Sequence, residues 1–328
     1  IYTPWANSSS LPTEAGYYYL LGDVTISETW QPESGTVLCL NGHAIYGNGS
    51  FDVITVNSGD TFTLTDCGEN KGTDNDPAVV RHTNIDTQYG RGVKNSGVFN
   101  MYGGRIAFNR STENGNGVYN DASASFNLYM GETSSNGSLT SGTVDGGGVY
   151  NKGTFNMYGG KVNGNGKSGY PSSSGVKYGA GVYVDSSAKF TMTGGEIAGN
   201  GVTSGGAGSA IYVNDGGTLQ FGKKAVVWPN NTIEFAGDSD VISVISRLGD
   251  NGSIYIGSLS TDRITQTGKN FYKVEDKKLI SPGHIHMLDG TPDENGEDED
   301  VYTKWTSTNS LPTEAGAYCL ADDVTVDS

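Results

Sequence analysis

A short block that recurs along the middle of the chain restricts the fold more than any other feature. GRGVKNSGVFNMYGGRIAFN starts at Gly90 and GNGVYNDASASFNLYMGETSSN at Gly115. GGGVYNKGTFNMYGGKVNGN starts at Gly146, GAGVYVDSSAKFTMTGGEIAGN at Gly179, and a degenerate copy opens at Gly208. The steps between starts are 25, 31, 33 and 29 residues, and the variation sits mainly after the closing Asn, as in GKSGYPSSSGVKY. A unit that holds its internal spacing while one corner varies is a stacked repeat whose loops leave from one edge.

Within a copy the apolar residues alternate with polar ones, the period of strands and not of helices. Three short strands fit each copy, in the third roughly GVYN, TFNMY and KVN. The fold expected is therefore all-β: a right-handed parallel β-helix, a solenoid of about three strands per coil. Alternation points Phe99, Phe126, Phe155 and Phe190 inward, with Met101, Leu128, Met157 and Met192 two residues on. Val93, Val118, Val149, Val182 and Ile211 form a second inner column, and Ile106, Val162 and Ile197 a third. Asn109, Asn136, Asn165 and Asn200 close their copies, where Asn tolerates turn geometry and can stack as an amide ladder. Gly-Gly pairs at 103–104, 159–160 and 194–195 mark another bend.

A second, much longer repeat divides the chain. Residues 1–28 and 301–328 share 15 identical positions at a constant offset of 300, Trp5 with Trp305 and Leu11 with Leu311 among them. The organisation expected is one unit over 1–281, with an N-terminal cap at 1–34, regular coils at 35–235 and C-terminal coils or a cap at 236–281. Residues 282–300 follow as an acidic linker, with seven carboxylates between Asp289 and Asp300. The opening of the next tandem unit, 301–328, is too short to bury a core, so it is expected to be disordered or to dock on a neighbouring edge.

Composition narrows the partners. The net charge of −16 opposes binding to nucleic acid and to anionic membranes. No apolar run of membrane length is present, so membrane insertion by this segment is not expected. Cys39, Cys67 and Cys319 form no CxxC pair. Cys39 and Cys67 either form a disulfide across stacked coils or remain two buried thiols.

The stretch LPTEAGYYYLLGDVTISETWQPESGTVLCLNGHAI, followed by the GVYN-x-GTFNMYGGKV copies, resembles large repetitive extracellular proteins of gut Firmicutes, described as right-handed β-helix-region or adhesin-like surface proteins. The likeness covers most of residues 1–265. It implies a secreted protein of the bacterial cell surface with modules in tandem, and it carries over no catalytic residue.

Two columns of tyrosine are the candidate ligand-binding residues. With Phe and Met inside, Tyr102, Tyr129 and Tyr158 face outward on one sheet, and Tyr119, Tyr150, Tyr183 and Tyr212 on another. An exposed aromatic stripe can stack against sugar rings, whereas the plainer reading is a self-stacking ladder that stabilises the sheet. Asp121, Asp185 and Asp215 with Lys152, Arg91, Arg105 and Arg110 are the groups from which a lyase or glycosidase site would have to be built, but no motif joins them. His284 and His286, two apart in the linker, join no metal motif, and neither a metal nor a cofactor is expected. The function expected is a non-catalytic stalk or adhesin, with weak multivalent glycan binding along one face. Host or cell-wall glycans, a surface protein and neighbouring tandem units are the partners in view. The alternative is a polysaccharide-degrading β-helix enzyme, a lyase or glycoside hydrolase.

Overall fold

The computed structural model describes residues 1–68, 78–84, 86–138, 144–166, 175–229, 231–268 and 271–282, and the backbone of two short strands at 303–305 and 318–320. The described chain is all-β, with a single 3-10 turn at Thr261–Arg263. Equivalent strands of successive copies lie side by side, parallel and in register. They form three rows in two large sheets, one of 20 strands and one of seven.

The first row runs through Thr61–Thr65, Val98–Ala107, Ser125–Ser134, Thr154–Met157, Lys189–Met192, Thr218–Lys223, Ile242–Leu248 and Ile264–Gln266. Its register places Phe99 on Phe126, Phe126 on Phe155 and Phe155 on Phe190. The second row includes Ile45–Gly47, Val79–His82, Lys161–Asn163, Glu196–Ala198, Val226–Val227 and Ser253–Tyr255. The two ten-residue strands among the described residues, Val98–Ala107 and Ser125–Ser134, cross the bend and serve both of these rows. The third row is the seven-stranded sheet: Ile54–Val56, Val93–Asn95, Val118–Asn120, Val149–Asn151, Val182–Val184, Ile211–Val213 and Ile233–Phe235.

One continuous apolar core takes residues from all three rows, from Leu11 to Leu279. The expected Phe, Met/Leu, Val/Ile and Ile/Val columns are all buried. Phe62, Phe99, Phe126, Phe155 and Phe190 stack nearly parallel at 5.7, 5.1, 4.8 and 4.6 Å between centroids. The column then exchanges partners. Phe190 meets Leu219 while Met192 meets Phe221, so the pair keeps its volume although each position changes size. Thr133 interrupts the third column between Ile106 and Val162, fully buried.

The glycines are steric necessities at two places. At the bend, Gly160 has φ of 73°, and a Cβ there would lie 2.7 Å from the carbonyl of Gly131. Before the third row, a Cβ on Gly148 would lie 2.6 Å from the carbonyl of Gly181 and 2.8 Å from Nδ2 of Asn165. That second clearance admits the amide ladder. Asn109, Asn136 and Asn165 each donate from Nδ2 to Oδ1 of the next Asn, at 3.2, 3.1 and 3.1 Å, ending on Asn200. The same Oδ1 atoms accept the backbone N–H of the preceding Asn. A second buried ladder joins Asn95, Asn120 and Asn151 at 2.7 Å per step.

The ends differ. Residues 1–34 contribute Thr3–Trp5 and Tyr17–Leu20 to the head of the first row and Val24–Ile26 to the second, with Trp30 edge-on against Phe62. At the other end, Lys273–Glu275 and Lys278–Ile280 form an antiparallel pair laid against Ser253–Tyr255. Cys39 and Cys67 are joined by a disulfide, which settles the choice left open above. The linker from 283 to 300 lies outside the described residues, as does most of 301–328. The two described segments of the latter, Thr303–Trp305 and Tyr318–Leu320, pair in parallel in the register of Thr3–Trp5 with Tyr17–Leu20.

Candidate functional site

The two tyrosine columns form two stacks of different exposure. Tyr102, Tyr129 and Tyr158 follow the buried Met or Leu of the first row by one residue, so they project outward. Their rings stack at 4.3 and 4.9 Å with interplanar angles of 4° and 17°. Tyr102 and Tyr158 are exposed and Tyr129 is half-buried between them. At such separations each ring covers its neighbour, so the inner faces are spent on one another. Edges and hydroxyls meet solvent, and only the outer faces at the two ends of the stack remain open. Met130, also exposed, pairs with Tyr102 in the backbone register, which shifts on either side of Tyr102.

Tyr119, Tyr150, Tyr183 and Tyr212 form the second stack, at 5.5, 4.7 and 5.5 Å. Tyr178, from the variable corner, adds a fifth ring 4.6 Å from Tyr212. This column differs from the expected exposed stripe: Tyr150 and Tyr183 are buried and Tyr119 and Tyr212 half-buried. The backbone at the start of each copy runs close to these residues: a Cβ on Gly146 would lie 2.6 Å from Tyr150 Cβ, and one on Gly179 would lie 2.7 Å from Tyr183 Cα. Burial pushes both phenols well above the usual tyrosine range. Asp185 adds to the effect at Tyr150, and Asp145 followed by Asp185 at Tyr183. The Tyr150 hydroxyl donates to Asp185 Oδ2 at 3.2 Å.

The upstream end of this stack is closed by a cation. The Arg91 guanidinium carbon sits 4.7 Å from the centre of the Tyr119 ring. Arg91 is itself held by Asp52 at 3.1 Å, by Glu113, and by the carbonyl of Asn114. It is thus a structural cap and not an available base. Arg105 pairs with Glu132 and donates to Ser134, and Arg110 lies 3.6 Å from Asp86. The candidate carboxylates serve their own turns: Asp121 Oδ1 accepts from the N–H of Ala122, and Asp185 Oδ1 from that of Ser186. Lys152 sits on the copy between them, bonded through its N–H to the Asn120 carbonyl.

His82 is buried at the head of the first amide ladder, Nδ1 3.0 Å from Asn109 Oδ1 and Nε2 2.8 Å from the Phe51 carbonyl. His284 and His286 lie outside the described residues. Among the described residues no group of three or more His, Cys, Asp or Glu is placed to hold a metal ion, and no helix is long and apolar enough to cross a membrane. A cavity of about 640 Å³ lies at the end of the third row, between Thr232–Phe235 and Ile256–Arg263. Its Arg263 is anchored to the carbonyls of Asp240 and Gly237.

Sequence reasoning finds the outward tyrosines but misses their cover, their cation cap and Tyr178. The signal for the second amide ladder was present: in GVYN the Asn follows the inward Val by two residues, so it shares the buried face. No family model, curated protein or solved structure matches the chain.

Proposed function

We propose that residues 1–281 form one right-handed parallel β-helical unit of about three strands per coil, and that the unit serves as a non-catalytic stalk or adhesin module on a bacterial surface, where it offers repeated weak glycan contacts. The observation that carries this reading is the register itself: like residues lie over like across consecutive copies in the first and third rows. Such an arrangement grows along one axis and favours a rod over a cleft. The Cys39–Cys67 disulfide suits an oxidising compartment outside the cytoplasm. The arginines that could have served as bases are committed to ion pairs, ring contacts and carbonyls, which supports a structural role over catalysis.

Small-angle scattering on residues 1–282 tests the shape. The expected profile is that of a rod whose length grows by about 4.8 Å per copy; a spherical profile would overturn the architecture. Incubating the unit with soluble polysaccharides tests the chemistry. New reducing or unsaturated ends would overturn the non-catalytic assignment in favour of the enzyme reading.

A further inference from the structure

We infer that the outward face of the first row is the binding surface of the unit, and that it takes an uncharged, extended polysaccharide laid along the stacking direction and held by amide and hydroxyl groups. The inference rests on the stalk-or-adhesin reading and specifies its ligand class and face.

The argument begins with where charge is missing. The chain carries 36 acidic and 20 basic residues among 328. Across six consecutive strands of the first row, the outward positions are Thr61, Thr63 and Thr65; Val98, Asn100 and Tyr102; Ser125, Asn127 and Tyr129; Thr154, Asn156 and Tyr158; Lys189, Thr191 and Thr193; and Thr218 and Gln220. Lys189 is the one ionisable cation or carboxylate among these positions; Lys223, exposed at the end of the sixth strand, and Arg247 on the seventh mark where the neutral stretch stops. The adjoining second row is the opposite, with Arg105, Glu132, Lys161 and Glu196 in successive copies. A face left neutral on so acidic a molecule does not attract a charged partner, and it does not repel an uncharged one.

Its chemistry is specific. Thr63, Asn100, Asn127, Asn156, Thr191, Gln220, Ser243 and Thr265 lie in one register line, repeating at the strand spacing of about 4.8 Å. Asn127 donates to Asn100 Oδ1 and Asn156 to Asn127 Oδ1, each at 2.9 Å, which fixes the amides in one orientation. Each amide keeps a second N–H and a lone pair beyond the ladder bond. Beside this line stand the hydroxyl edges of Tyr102, Tyr129 and Tyr158. Because those rings cover each other, the face contacts a ligand through preorganised donors and acceptors and not through aromatic planes. A polymer with hydroxyls at regular intervals can satisfy many such groups at once, so individually weak contacts add along its length.

The test is retention of the intact chain on a panel of insoluble neutral polysaccharides (cellulose, chitin, xylan, mannan and mixed-linkage glucan) beside polygalacturonate and heparin supports. Retention on at least one neutral support and none on the anionic ones is expected. Asn127→Asp with Thr154→Glu should cut retention roughly tenfold, a loss that one or two hydrogen bonds would produce. Tyr→Phe at 102, 129 and 158 keeps the stack and removes only the hydroxyls, and it should weaken retention as well. Lys161→Gln, on the charged row, should leave it unchanged. Retention on none of the neutral supports, retention on the anionic ones, or indifference to both sets of changes in variants whose strand circular dichroism is intact would overturn the inference. Rod-like scattering with no retention would remove this face while leaving the stalk reading standing, whereas a spherical profile would remove the stalk reading itself.

Discussion

At the scale of single residues, the buried amide ladder is where a small change should cost most. Asn165 donates to the Thr133 carbonyl at 2.9 Å and to Asn200 Oδ1 at 3.1 Å, while its own Oδ1 accepts two bonds from Asn136. Asn165→Asp keeps the shape and the accepting side but turns both donations into contacts between acceptors. A loss of about 3 kcal/mol at neutral pH is expected. The introduced carboxyl would be buried with its pKa raised, so the fold is favoured below the unfolded carboxylate pKa of about 4 and penalised as pH rises above it. Urea midpoints of variant and wild type should therefore converge towards pH 4; a pH-independent difference would sink this account. The buried tyrosines follow the same sign at the alkaline end. Tyr150 and Tyr183 ionise less readily folded than unfolded, so their stabilisation is complete below the unfolded pKa of about 10 and falls as pH rises past it. In a titration followed by phenolate absorbance, Tyr150 and Tyr183 should ionise only as the strand signal is lost, and ionisation of both phenols with the fold unchanged would contradict the burial.

At the scale of elements, the second row shows how register is held where the core alone is permissive. A shift of one copy would still place apolar on apolar at Ile106, Val162 and Ile197, but it would set like charges together along Arg105, Glu132, Lys161 and Glu196. Lys161→Glu puts three carboxylates on consecutive strands, and a loss of about 0.5–1 kcal/mol is expected, shrinking as salt is added. A salt-insensitive change in melting temperature would mean that the row plays no electrostatic part. This row is a fair measure of what the sequence made legible. The Phe, Val and closing-Asn columns could be read because identical residues recur at fixed places within each copy, and two-residue alternation then assigns a face. Residues 1–34 lack that motif, so their strands, which continue the first two rows, were not readable as such. The burial of Tyr150 and Tyr183 was not readable because alternation assigns a face and says nothing of what packs over it, and Tyr178 enters the stack from the corner whose length varies between copies. The pairing of Cys39 with Cys67 was open for a related reason: both sit in flanking copies whose spacing departs from the repeat, although Cys39 lies beside Thr65 in the register.

At the scale of the molecule, a stack whose copies touch only their neighbours should not fail all at once. Each copy is stabilised by its own burial and by the two interfaces it shares, so a local weakness opens locally and spreads only as far as adjacent interfaces allow. The Cys39–Cys67 disulfide, which spans 28 residues, gives a way to test this. Closing a loop of that length restricts the unfolded chain by an amount equivalent to about 3.6 kcal/mol in the chain-entropy account. In a single cooperative domain that loss would be felt everywhere. Here it should fall on the copies the bond joins. After reduction, backbone amides in Thr36–Cys39 and Thr61–Thr65 should exchange with deuterium much faster. Those in Val149–Asn151 and Lys189–Met192, several copies away, should keep their protection, because the Phe155–Phe190 stack and the Asn165–Asn200 amide bond do not depend on the disulfide. Strands between the two regions should show a graded effect. Uniform acceleration across all of them would show instead that the unit unfolds as one cooperative body.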